Sequence, residues 1–200
     1  MTGNGRSSWL LPAVVFLFVL TASAGGWLFM SHGAERFGRI GGPFTLVDGA
    51  GRTVTDRDLR GRYLLVYFGY TFCPDVCPTT LTTIAGALDK LGKRVAMVQP
   101  LFITVDPQRD TPKVIAAYTK AFSPRILGLT GTPEEIAKIA GEYRVYYAKH
   151  LTGNGPGDYT MDHSSIIYLI GPTGRFIAPI SADETARRMA ADILRHIDAG

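Results

Sequence analysis

Two cysteines and one histidine carry the most specific chemistry in this sequence. Cys73 and Cys77 are its two cysteines, set in FGYTFCPDVCPTTL with a proline directly after each. Closing so short a loop removes little chain entropy, so a purely structural disulfide stabilises less here than a long-range bridge. Redox chemistry and metal binding both remain open for the pair. A residue preceding proline is pushed away from helical geometry, and Pro78 suits the first position of a helix. This predicts Cys77 as the N-cap of that helix. A thiol there faces the positive end of the helix dipole and unsatisfied N–H groups, which favour thiolate. Thiolate is the form that attacks disulfides and binds metals.

The histidines are His32, His150, His163 and His196. His32 follows an apolar run, His150 falls in a Gly-rich loop and His196 lies on the last helix; all three read as exposed, idle imidazoles. His163 differs, because it opens the strand MDHSSIIYLI. Paired antiparallel to residues 63–70, that strand begins at the sheet edge that holds the cysteine loop. Two thiolates and an imidazole make a three-ligand set, whereas structural zinc takes four ligands. Soft thiolates at low coordination suit Cu(I), and the same set holds Cu(II) with a weak further ligand. One copper per chain is the favoured metal. Asp162 adjoins His163, and neighbours in a strand point to opposite faces, so it supports the site indirectly or points outward. Met161 shares the face of His163 and reads as packing.

The elements that must position these groups are legible nearby. YLLVYFGY (63–70) is a strand buried on both faces. Leu81, Ile84, Ala85, Leu88 and Leu91 follow helical spacing, which Gly92 ends. Residues 95–105 return to a second inner strand, giving a βαβ unit with parallel strands. A helix over 111–122 starts on Thr-Pro, and a short strand follows at 126–129. Thr132 and Glu135 form a capping box with Pro133 at the first helical position. Ser181 and Glu184 repeat that signature for a last helix over 182–197. Residues 44–47 and 53–55 flank a turn, and 164–170 and 175–180 surround GPTG; both patterns predict hairpins. The fold class is α/β, a thioredoxin-like mixed sheet with flanking helices. The cysteine loop sits at the carboxyl end of an inner strand, where open α/β sheets place their sites.

No charged residue occurs between Trp9 and Met30, a run long enough to cross a hydrocarbon core of about 30 Å as a helix. The domains are therefore a tail (1–8), a transmembrane anchor (9–30), a Gly-rich linker (31–42) and a copper-binding domain (43–200). A cleaved signal peptide ending at Ala22-Ser23-Ala24 is the alternative. Arg6 on one side, and Arg36 and Arg39 against Glu35 on the other, do not fix the orientation. Either reading sends the domain to the periplasm or another extracytoplasmic space. The net charge of +4 is scattered without a Lys/Arg run, which argues against nucleic acid as a partner.

Three segments, FGYTFCPDVCPTTL, TVDPQRDTP (104–112) and DHSSIIYLI (162–170), together resemble the Sco/SenC family. These are membrane-anchored, thioredoxin-like copper proteins associated with cytochrome c oxidase assembly. The likeness runs from about Gly42 to the C-terminus. It implies that Cys73, Cys77 and His163 are copper ligands. It also implies delivery of copper to the dinuclear copper site of oxidase subunit II, reduction of that site's cysteines, or both. The partners implied are subunit II, an upstream copper donor and a thiol reductant. Competing readings are a thiol–disulfide oxidoreductase with Cys73 and Cys77 as redox-active thiols, a peroxiredoxin-like peroxidase, and a copper or redox sensor. Ordinary oxidoreductases of this fold use CxxC, and this loop has one residue more. Asp106 and Asp110 match a family segment with no settled role and read locally as a loop capping the next helix.

Overall fold

Strand β3 (Tyr63–Gly69) is buried at every position, and the remaining architecture explains why. The computed structural model describes residues 40–155 and 157–199; the expected tail, the anchor and linker residues 31–39 lie outside them. Among the described residues no helix is long and apolar enough to cross a membrane. The other strands are β1 (Thr45–Asp48), β2 (Thr53–Thr55), β4 (Val98–Thr104), β5 (Leu127–Thr130), β6 (Tyr147–Leu151), β7 (Tyr159–His163), β8 (Ile166–Ile170) and β9 (Phe176–Ser181). The helices are α1 (Val76–Lys90), α2 (Pro112–Phe122), α3 (Pro133–Glu142) and α4 (Ala186–Asp198).

Seven strands form one mixed sheet in the order β2-β1-β5-β4-β3-β8-β9, while β6 and β7 make a separate ribbon. β3, β4 and β5 are parallel, and β8 runs antiparallel to β3. Side chains alternate across β3. Tyr67 meets Phe102, whose ring in turn meets Tyr118 of α2, and Tyr63 donates to the His196 carbonyl on α4. Helix α1 packs against α4 on this side. Phe68 points the other way, to Tyr143 just after α3. Helices therefore cover both faces, and an unbroken apolar run is what such a strand requires. At the front edge Ile40 packs against the core, and the Gly41 N–H donates to the Glu142 carbonyl.

Several local expectations change. Residues 95–97 lie in a 3-10 turn (Gly92–Met97) ahead of β4 and not in the strand. Helix α1 starts at Val76 after Asp75, so Cys77 is a helical residue and not the N-cap. Pro78 then stands third in the helix, where its missing N–H costs no intrahelical bond because the first four N–H groups have no partner there. The last helix is capped by Thr185, whose hydroxyl accepts from the Arg188 N–H at 3.3 Å. Ser181 instead ends β9, with its hydroxyl on Asp183. His150 lies in strand β6 and not in a loop. The expected strand 161–170 is two strands: β7 pairs with β6 and β8 with β3, with the break at Ser164-Ser165.

Candidate metal centre

Beyond β3 the chain turns through Tyr70–Cys73, closed by the Cys73 N–H to the Tyr70 carbonyl at 3.3 Å. The first turn of α1 then brings Cys77 under Cys73. The Cys77 N–H donates to Cys73 Sγ at 3.4 Å, so the sulfur of Cys73 receives a free donor of the helix start. Cys77 is wholly buried and Cys73 half-buried; neither forms a disulfide. The Tyr67 hydroxyl donates to Cys77 Sγ at 3.8 Å. Gly69 makes the close packing possible, since a Cβ there would fall 2.7 Å from Cys77 Sγ and 2.7 Å from the Phe102 ring.

His163 reaches this place from the end of β7, not from the start of a strand. Its Nε2 lies 3.2 Å from Cys77 Sγ, and its Nδ1 lies 3.2 Å from the Ser164 carbonyl. A proton on Nδ1 satisfies that carbonyl and leaves the Nε2 lone pair facing the sulfurs, the arrangement a metal ligand needs. Tyr67 and Tyr70 meet the imidazole edge-on, with ring centres 6.1 and 5.9 Å away. The ligand atoms of Cys73, Cys77 and His163 all lie within 4.8 Å of one another, and they are the metal-capable cluster found among the described residues.

The two sulfurs divide one proton. A hydrogen bond from the Cys77 thiol, with lesser help from the N–H groups of Cys77 and Asp75, lowers the Cys73 pKa to about 3 against the pull of desolvation. Cys77 shifts upward, because the Cys73 sulfur accepts from its protonated form and burial penalises its thiolate. The anionic sulfur of the metal-free site is thus Cys73, where the N-cap expectation had favoured Cys77. Burial, then the neighbouring Cys77, pushes the Tyr67 phenol upward, so it stays a donor.

Asp162 turns away from the centre to His150, with Oδ2 2.8 Å from Nε2 and both side chains more than half exposed. Of its two expected roles, that contact fits the outward one. Met161 is buried, as packing requires. Sequence reasoning missed Tyr67, Gly69 and Thr71. It also gave no long-range contact to Asp110, which is fully buried and accepts from the Thr71 N–H at 3.0 Å, the Thr71 hydroxyl at 2.5 Å and the Thr104 hydroxyl at 2.6 Å. Burial raises its pKa despite these donors. The DPQRD spelling was the available signal, but its partners lie far away in the chain.

A thioredoxin-like sheet with two reduced cysteines and an imidazole converging at the end of an inner strand defines a class of thiol-and-metal proteins. Within that class the SCO1/SenC family model matches residues 33–198. The chain belongs to the SCO1/SenC family. It is similar to protein SenC of Rhodobacter capsulatus, 40% identical over 202 residues, covering 94% of this chain and 90% of that one. It is also similar to the mitochondrial SCO1 homolog of Homo sapiens, 43% identical over 164 residues and 79% of this chain, but spanning 53% of that protein's length. Among solved structures, ScoI of Bradyrhizobium japonicum with copper bound is 48% identical, with a TM-score of 0.72, covering 78% of this chain and 98% of that chain.

Proposed function

We propose that this protein is a copper-binding assembly factor that holds one copper ion between Cys73, Cys77 and His163. It delivers that copper to the dinuclear copper site of cytochrome c oxidase subunit II. The observation that carries the reading is the convergence of the three ligand atoms within 4.8 Å, supported by the copper-bound relative of 48% identity. Soft thiolates and low coordination suit Cu(I). The Cys77 proton must leave as the metal binds, so uptake releases protons and requires both thiols reduced. An upstream copper donor and a thiol reductant are accordingly part of the proposal. So are residues 9–30 as a membrane anchor, with the domain on the extracytoplasmic side.

A second reading rests on the unequal sulfurs. The Cys73 thiolate attacks a partner's disulfide to give a mixed disulfide and one free partner thiolate. Cys77 then loses its proton and attacks Cys73, releasing the second partner thiol and leaving a Cys73–Cys77 disulfide. Two electrons pass to the partner, and reduction by an external dithiol resets the pair. The test is the copper content of oxidase in a strain lacking this protein. Rescue by added copper supports delivery, and rescue by reductant alone supports thiol chemistry. Oxidase that stays fully loaded in the deletion strain ends both.

A further inference from the structure

The two halves of the site come from distant parts of the chain, and the loop of residues 106–110 touches both. Asp110 accepts both the N–H and the hydroxyl of Thr71, two residues ahead of Cys73. Asp106 accepts the Tyr159 hydroxyl at 2.9 and 3.1 Å, and Tyr159 opens the strand that His163 closes. Between them, Arg109 is paired with Asp106. Its guanidinium lies 3.6 Å from the Tyr159 ring centre and 4.8 Å from that of Phe72, the neighbour of Cys73, and it donates to the Tyr159 carbonyl at 3.1 Å.

The loop is itself braced. The Thr104 hydroxyl accepts from the Asp106 N–H at 2.8 Å and donates to the Asp110 carboxylate, while the Asp110 N–H donates to the Asp106 carbonyl at 2.9 Å. Helix capping does not account for these acids, because the Thr111 side chain performs it by accepting from Val114. Burying a carboxylate is costly unless its acceptors are satisfied. Asp110 draws two of the three donors to its carboxylate from Thr71 of the cysteine loop, and Asp106 draws on Tyr159 of the strand that carries His163. We propose that residues 106–110 are a clamp that fixes the spacing between the cysteine pair and His163. Asp110 is the positioning residue for the thiols, and Asp106 with Arg109 positions the imidazole. The inference rests on the reading of Cys73, Cys77 and His163 as the copper site.

The test uses the full chain, purified reduced in detergent, with Cu(I) affinity read by competition against a chromophoric chelator. Tyr159→Phe removes one hydroxyl and keeps the ring. It is expected to weaken Cu(I) binding about 10–100-fold, the usual cost of losing a ligand's outer support, and to add nothing in a His163→Ala background. Asp110→Asn is expected to weaken binding in both backgrounds and to change the rate of Cys73 alkylation in metal-free protein at least severalfold. Should Asp110→Asn not fold, Thr71→Val takes its place. Equal losses for Tyr159→Phe with and without His163, or no loss at all, overturn the clamp. If the wild-type chain takes up no copper, the copper reading has failed by itself. The metal-free readouts then judge the clamp: His163 NMR signals must move in Tyr159→Phe and Cys73 alkylation must change in Asp110→Asn, and unchanged values refute it.

Discussion

Cys77 enters the core from the first turn of α1 and is fully buried against β3, under Tyr67 and beside Gly69. His163 arrives on the β6–β7 ribbon, which stands apart from the main sheet and whose strand β6 is exposed from Lys149 to Leu151. Packing of the protein interior sets the sulfurs, whereas the imidazole depends on a two-stranded element, a type with little stability of its own. On the proposed copper-delivery reading this division has a use: His163 would be the ligand to yield first, while Cys73 and Cys77 would keep hold of the metal.

The largest expected effect breaks that comparison directly. In the reduced full chain, Cys73→Ser or Cys77→Ser should abolish stoichiometric copper uptake, measured as metal content after gel filtration. His163→Ala should retain Cu(I) but bind it on the order of a hundredfold more weakly, about 2.7 kcal/mol. Equal losses for all three variants would mean that the two halves do not differ in kind.

Next in size is Gly69→Ala, which probes the packed half alone. The added methyl collides with Cys77 Sγ and the Phe102 ring, and overpacking of this kind costs about 1–3 kcal/mol. Urea unfolding of the metal-free protein should show that loss. Wild-type stability in this variant would mean that the sulfur pocket is softer than its packing indicates.

A pH-dependent effect follows from the unequal thiols of the metal-free, reduced chain. Cys73 titrates at about 3 when folded, against an ordinary thiol value of 9.0. Between those values the unfolded chain binds one proton more at this sulfur, so stability rises with pH across the window. The contribution is complete above about pH 9 and fades as pH falls toward 3. Cys77, shifted upward, stays protonated in both states below pH 9 and adds no slope there. The stability difference between wild type and Cys73→Ser should therefore grow from about pH 4 to pH 8. A flat difference would show that Cys73 holds its proton.

The same division separates what the sequence disclosed from what it hid. β3, the capping box at Thr132 and Glu135, and the hairpin over GPTG are written in adjacent residues, and each stands where local physics put it. The cysteine pair was visible for the same reason. The break at Ser164-Ser165 was not, because no Gly or Pro marks it and only the change of pairing partner creates it. Strand β6 reads YAKHL and is largely exposed, so no alternating pattern marks it. The Ser181 box failed because Ser181 was already used by β9. Asp110 was illegible as a support of the cysteine loop because Thr71 is 39 positions away.

The smallest expected effect concerns the residue beside His163. Asp162 and His150 meet through Oδ2 and Nε2 with both side chains more than half exposed, and even charged pairs so exposed contribute only about 0–1 kcal/mol. Alternation along β7 sends Asp162 to the face opposite His163, so its charge has no ligand to orient. Asp162→Asn should therefore leave Cu(I) affinity within about twofold of wild type, far from the 10–100-fold cost of losing a true ligand support. The same chelator competition decides it. A tenfold loss would mean that the ribbon transmits the state of its outer face to the imidazole, and that the weaker half of the site is governed from its exposed side.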